Sequence, residues 1–142
     1  MVDPGSDVTE QLHCVMSTPV IRDGFIYGMC SYGELRCLDA KTGERQWESL
    51  AVIGGTTVRW GNAFIVQLGE GSDRYILFNE LGDLLIARLT PQKYEEISRA
   101  HILEPTNTMA GRKVVWSHPA FAQGCMFARN DSELVCVSMR GH

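Results

Sequence analysis

The residues best suited to chemistry in this 142-residue chain are few and scattered. Ser117-His118 sets a hydroxyl beside an imidazole, the raw material of a nucleophile and its base. A similar earlier segment carries Ser17-Thr18 in the matching place, so the pair reads as repeat pattern and no catalytic residue is assigned. Gly54-Gly55-Thr56-Thr57 and Gly69-Glu70-Gly71-Ser72 are glycine-rich. Neither has the Lys-Ser/Thr ending of a phosphate-cradling loop, and both read as turns. Cys14, Cys30, Cys37, Cys125 and Cys136 form no CxxC and no metal-ligand spacing with His13, His101, His118 or His142. Their odd number argues against a complete disulfide framework. Cys37, Cys125 and Cys136 fall inside apolar runs, where reduced core thiols are expected. Tyr32, Trp60 and Trp116, with His118, are the candidates for a ligand surface that stacks on a sugar or a peptide. The competing reading packs both tryptophans between structural elements.

Composition narrows the classes. The chain is 44% hydrophobic and 21% charged, which is ordinary globular usage. No apolar run approaches the roughly 18–20 residues of a membrane-spanning helix, so no membrane span is expected. A net charge of −4 gives a sequence-independent grip on nucleic acid no electrostatic support. The opening residues MVDPGSDVTEQLHCVM lack the basic and apolar regions of a secretory signal. Read as it stands, the chain is expected to stay where it is made.

The elements that would position these residues are short β-type runs cut by turns. Gly24 to Cys30 meets Glu34 to Ala40 across Ser31-Tyr32-Gly33. Arg74 to Asn79 meets Asp83 to Leu89 across Glu80-Leu81-Gly82. Cys125 to Asn130 meets Glu133 to Met139 across Asp131-Ser132. Gly33-Glu34-Leu35 recurs 49 residues on as Gly82-Asp83-Leu84, and some 50 further as Ser132-Glu133-Leu134. VMSTPVIRDG (Val15 to Gly24) aligns without a gap on VWSHPAFAQG (Val115 to Gly124). In the middle unit Arg59 to Gln67 fills that place, so Trp60 and Trp116 are expected to begin inner strands. Polar fourth strands follow as Arg45 to Leu50 and Tyr94 to Ser98, although Tyr94 to Leu103 also allows a helix. A period of 40–50 residues with four strands per unit is the signature of propeller blades. Strands apolar on both faces fit blades packed on both sides better than a half-solvated sandwich.

One motif carries a resemblance. Cys37-Leu38-Asp39-Ala40-Lys41-Thr42-Gly43-Glu44-Arg45-Gln46-Trp47 resembles the repeat of the pyrroloquinoline-quinone (PQQ)-like β-propellers, Asp-x-x-Thr-Gly-x-x-x-Trp. The resemblance implies that Asp39, Thr42 and Gly43 close the turn between third and fourth strands, and that Trp47 docks onto the adjacent blade. The segment from Val114 to Met139 is similar to the C-terminal end of bacterial, planctomycete-type members, which are usually exported. Some members are quinoprotein dehydrogenases with PQQ and Ca²⁺; others are scaffolds without a cofactor. No vicinal cysteine pair is present, and Asp39, Asp83, Asp131 and Glu133 fall at turns.

The expectation is therefore an all-β chain, a partial β-propeller of about three four-stranded antiparallel blades (PQQ-like or WD40-like), the last incomplete. Residues 1–14 form an N-terminal segment able to complete a blade as an edge strand. The repeats span 15–50, 51–100 and 113–142, with 101–112 as linker and a helical or extended insertion over Thr90 to Arg112. The expected role is non-catalytic: protein or ligand binding, or self-assembly. A quinoprotein dehydrogenase remnant and a glycan-binding surface are the alternatives. No cofactor or metal is expected, and the partner is a second copy or a chain supplying further blades.

Overall fold

The computed structural model describes residues 11–140. Apart from one 3-10 turn at Ala51–Ile53, every regular element there is a strand. The first sheet is the antiparallel meander β1 (Val20–Arg22), β2 (Phe25–Met29), β3 (Leu35–Asp39) and β4 (Arg45–Ser49). The second repeats it with β5 (Ala63–Gln67), β6 (Arg74–Asn79), β7 (Asp83–Leu89) and β8 (Tyr94–His101). A two-stranded hairpin follows, β9 (Asn107–Met109) and β10 (Arg112–Val114). The third sheet has three strands, β11 (Ala120–Ala122), β12 (Cys125–Arg129) and β13 (Leu134–Ser138). The chain is all-β, and its sheets have the form of partial propeller blades.

Local chemistry explains the repetition. Asp23-Gly24 and Gln123-Gly124 both adopt positive φ (50° and 82°, 52° and 75°), closing the first hairpin of the first and third sheets in the same way. The pairing of β3 with β4 slips between Cys37 and Leu38, and that of β7 with β8 slips between Ile86 and Ala87. These are equivalent positions, so one bulge is built into both four-stranded units.

Alternation along the strands makes two cores. Tyr27, Met29, Leu35 and Cys37 of the first sheet meet Tyr75, Leu77, Leu85 and Ala87 of the second. The opposite face of the second sheet, with Phe64, Ile76, Phe78 and Leu84, meets Met126 and Ala128 of the third. The second sheet is thus buried on both faces, which is why its inner strands read as continuous apolar runs.

Several expectations change. Tyr94 to His101 is the long fourth strand of the second sheet, not a helix or an insertion. The bulge there disturbs simple alternation, and the apolar residues at helix-like spacing arise from that slip. The span 101–112 is no plain linker: it starts within β8 and holds β9 and the start of β10. Their turn is Ala110-Gly111, with φ of 50° and 79°, a weaker written signal than Asn-Gly. Trp60 and Trp116 begin no strand. Trp60 is a turn residue with φ 59°, and Trp116 lies in the connection between β10 and β11. Gln11 to Cys14 do not act as an edge strand but lie against the first sheet. Residues 1–10 of that segment fall outside the described residues.

Candidate functional site at the blade faces and hairpin tips

The motif turn between β3 and β4 is fully wired. One Asp39 carboxylate oxygen accepts from the backbone N–H of Lys41 and of Thr42, each at 2.8 Å. Those bonds hold the Asp39 pKa below the usual carboxylate range. The Thr42 hydroxyl accepts from Glu44 N–H at 3.2 Å, and Gly43 supplies φ 78°. Trp47 then crosses to the second sheet, where its indole N–H donates to the Thr90 carbonyl at 2.7 Å. Its ring packs 6.1 Å from that of Tyr27, centroid to centroid. The residue group does structural work: a capped turn and a lateral anchor between adjacent sheets.

The aromatic candidates separate. Tyr32 is exposed at the β2–β3 tip, where its carbonyl accepts from Val58 N–H at 3.1 Å. Trp60 is tied to the same tip through Ser31 and is covered by Arg59, whose guanidinium lies 4.6 Å from the ring. Trp116 belongs instead to the β6–β7 tip: its indole N–H donates to Glu80 Oε2 at 2.9 Å. His118 packs its ring 4.6 Å from Phe64, and its Nδ1 lies 2.7 Å from the Pro119 carbonyl. Tyr32 and Trp60 therefore share one tip, while Trp116 and His118 sit at the following junction. Both tryptophans are half-buried, each occupied by a local cation or carboxylate.

Sequence reading missed the residues that organise those tips. Glu80 has a fully buried side chain, 1% exposed. It takes Arg112 Nε at 2.9 Å and Nη2 at 3.1 Å, besides the Trp116 indole, and so clamps β10 and the following connection to the second sheet. Asn79 and Asn130 are paired in role. Each accepts two turn N–H groups through Oδ1 and donates through Nδ2 to a backbone carbonyl upstream of its own sheet. Asn79 reaches the Val52 carbonyl at 2.7 Å; Asn130 reaches that of Glu104 at 2.8 Å. In the first sheet this slot holds Cys30, whose sulfur meets His13 N–H and Arg36 Nη1, both at 3.3 Å. The third hairpin is one residue shorter than the second, which hid the asparagine equivalence in the written repeat.

The faces are equivalent by register. Tyr27↔Cys37 in the first sheet corresponds to Ile76↔Ile86 in the second and Phe127↔Cys136 in the third. Met29↔Leu35 corresponds to Phe78↔Leu84 and Arg129↔Leu134. The first two sets are covered by the next sheet; the third is open. Leu35 is 0% exposed, Leu84 8% and Leu134 70%. Cys125 and Cys136, expected as core thiols, lie half-buried and exposed because nothing in the described chain covers that face. Cys37 and Cys30 are buried, and burial pushes the Cys37 thiol up to about 11.

The opposite end of the stack differs. Where the second sheet presents Leu77↔Leu85 to its predecessor, the first has Gly28↔Arg36. A Cβ on Gly28 would meet Leu12 Cδ2 at 2.8 Å and Cys14 Sγ at 2.9 Å, so residues 11–14 fill that place. The buried Arg36 bonds to the Gln11 carbonyl and pairs with Glu48 at 3.1 Å. A further apolar cleft of about 360 Å³ opens between the second and third sheets, lined by Val66, Leu68, Phe121 and Met139 among others. At its edge Gln67 Nε2 donates to the Ser72 carbonyl, and the Gln123 backbone carbonyl accepts from Arg140.

Three acidic side chains at the turns are engaged within the fold. Asp39 caps its turn, Asp83 is tied to Arg99 and His101, and Glu80 to Arg112. Among the described residues no group of three or more His, Cys, Asp or Glu side chains converges as a metal site. No described helix is long and apolar enough to cross a membrane.

No protein-family model matches the chain, and no curated protein matches it. A solved structure is similar to it: quinohemoprotein alcohol dehydrogenase from Comamonas testosteroni. The match covers 84% of this chain at 18% identity, with a TM-score of 0.49. The chain spans 17% of the length of that enzyme.

Proposed function

We propose that this chain is a non-catalytic module of stacked propeller-type blades that works by presenting the open face of its third sheet to a second copy of itself. The observation carrying this reading is the repeated face: Phe127, Leu134 and Cys136 stand where Tyr27, Leu35 and Cys37, and again Ile76, Leu84 and Ile86, each receive a neighbouring sheet. An exposed face that repeats this pattern, with Arg129 in place of Met29 and Phe78, marks an interaction site. Head-to-tail closure into a ring would set this face against Gly28 and Arg36, a place already taken by the chain's own residues 11–14. Face-to-face pairing about a two-fold axis is left, and it covers both open faces at once. No cofactor enters the reading.

Light scattering on a sizing column over a concentration series tests it. Twice the chain mass is expected at high concentration, with dissociation on dilution. Leu134→Glu should give the monomer at every concentration, while Ile97→Glu, on the outer strand β8, should leave the dimer intact. A monomer throughout, or equal disruption by both variants, would overturn the proposal. Adding PQQ with Ca²⁺ is expected to leave the melting temperature unchanged, since ligand binding to the folded state would raise it.

A further inference from the structure

The open face carries two thiols. Cys125 pairs with Ser138 and Cys136 with Phe127, so both cysteines project from one face as diagonal neighbours on adjacent antiparallel strands. Cys136 is exposed and Cys125 half-buried, so solvent reaches the pair from the open face. Diagonal partners in a sheet start about 7–8 Å apart at Cα, a little beyond the disulfide range of about 4.4–6.8 Å. The strand that must shift is β13, the last of its sheet, with no strand paired along its far edge among the described residues. The other thiols are less available. Cys37 is 0% exposed, Cys30 is buried against Arg36, and burial pushes Cys14 up to about 11.

We propose that Cys125 and Cys136 are a thiol–disulfide pair that closes a reversible cross-strand bond between β12 and β13 by exchange with a small disulfide. The exposed Cys136, as thiolate, attacks one sulfur of the small disulfide and releases one small thiolate, leaving a mixed disulfide. The Cys125 thiolate then attacks the Cys136 sulfur and expels the second small thiolate. Two protein thiols are oxidised, one small disulfide is reduced to two thiols, and these carry away the two protons. The product staples the sheet that has three strands where its predecessors have four.

Peptide mapping of the full chain tests this. The reduced protein is incubated with glutathione disulfide, free thiols are alkylated after unfolding, and trypsin is added without reductant. Arg129 lies between the two cysteines, so the bond would link peptide 114–129 to peptide 130–140. The linked pair is expected, lost on adding dithiothreitol, with Cys14, Cys30 and Cys37 recovered alkylated. Cys125→Ser should leave only a mixed disulfide on Cys136. Recovery of Cys125 joined to a different cysteine, or of the two peptides unlinked even when the open face is kept free, would overturn the proposal. A second copy on the open face would shield both thiols, so the exchange is run in parallel on Leu134→Glu. Linkage in both proteins or in that variant alone supports the pair; its absence from both removes the pair without bearing on self-association.

Discussion

At the scale of single residues, two side chains decide how the sheets are joined. Trp47 brings a large apolar surface and one N–H, and both are used at the junction with the second sheet. Trp47→Phe keeps most of the surface and leaves the Thr90 carbonyl without its donor; a loss of about 1 kcal/mol is expected by urea unfolding. Trp47→Ala should cost about 3 kcal/mol, the usual range for emptying an aromatic site. Glu80 is the more sensitive position because its buried charge is balanced by the Arg112 guanidinium and hydrogen-bonded by the Trp116 indole and the Asn62 N–H. Glu80→Gln keeps the shape but strips the charge, leaving Arg112 uncompensated; about 2–4 kcal/mol is expected. Arg112→Met in the Glu80→Gln background should recover part of that loss, since the pair is then absent as a whole. Trp47 was legible in the sequence because its motif is local: Asp39 to Trp47 spans one turn and one strand. Glu80 was not, because its side-chain partners lie 32 and 36 residues away and a turn glutamate looks solvated on paper.

At the scale of elements, the hairpin tip of β6 and β7 is joined to β8 through charge. His101 Nδ1 lies 2.9 Å from Asp83 Oδ1, and its Nε2 lies 3.0 Å from Glu104 Oε1. Arg99 bonds to the other Asp83 oxygen at 2.9 Å, to Glu96, and to the Ala51 carbonyl of the preceding connection. The hydrogen bond with Asp83 does most to raise the His101 pKa; desolvation opposes it, and the bond with Glu104 adds a smaller rise. Burial works to raise Asp83, but hydrogen bonds from His101, Arg99 and Asn79 outweigh it, and its pKa is lowered. The two shifts bound a window. The His101 contribution is complete below its unfolded pKa of about 6.5 and is lost as pH rises through the higher folded value. The Asp83 contribution is complete above its unfolded pKa of about 3.9 and is lost as pH falls through the lower folded value. Melting temperature should therefore fall between about pH 6 and pH 8 more in the parent than in His101→Gln. Parallel curves across that range would remove His101 from the account. Gly82 sits in the same tip with φ 85°, and a Cβ there would collide with the Leu103 carbonyl. Gly82→Ala is thus expected to destabilise by more than the roughly 1 kcal/mol of a simple left-handed position. The Gly-acidic-Leu triplet exposed the repeat in the sequence; the collision behind it is visible only once the chain after β8 is seen to pack on the tip.

At the scale of the whole molecule, the three sheets are unequal in a way their similar strands conceal. The second is covered on both faces, the first on one face by its neighbour and over Gly28 by residues 11–14, and the third on one face only. Sequence periodicity counted units well, since each needs the same apolar residues for packing. It could not say which faces are covered, because Leu35, Leu84 and Leu134 are written alike and differ only in what lies above them. That inequality sets the order of local stability. Amides of β6 and β7 have covered sheets on both sides and should exchange only through global unfolding, whereas those of β12 and β13 should open at lower free energy. Association acts on the same scale: a second copy on the open face protects the third sheet by mass action and leaves the second unchanged. Hydrogen exchange of the parent at high and low concentration, beside Leu134→Glu, separates these terms. Protection of β12 and β13 should rise with concentration in the parent and stay low in the variant, with β6 and β7 alike in all three samples. If all three sheets instead exchange at one common rate whatever the concentration, the stack unfolds as a single unit and the third sheet owes nothing to a partner.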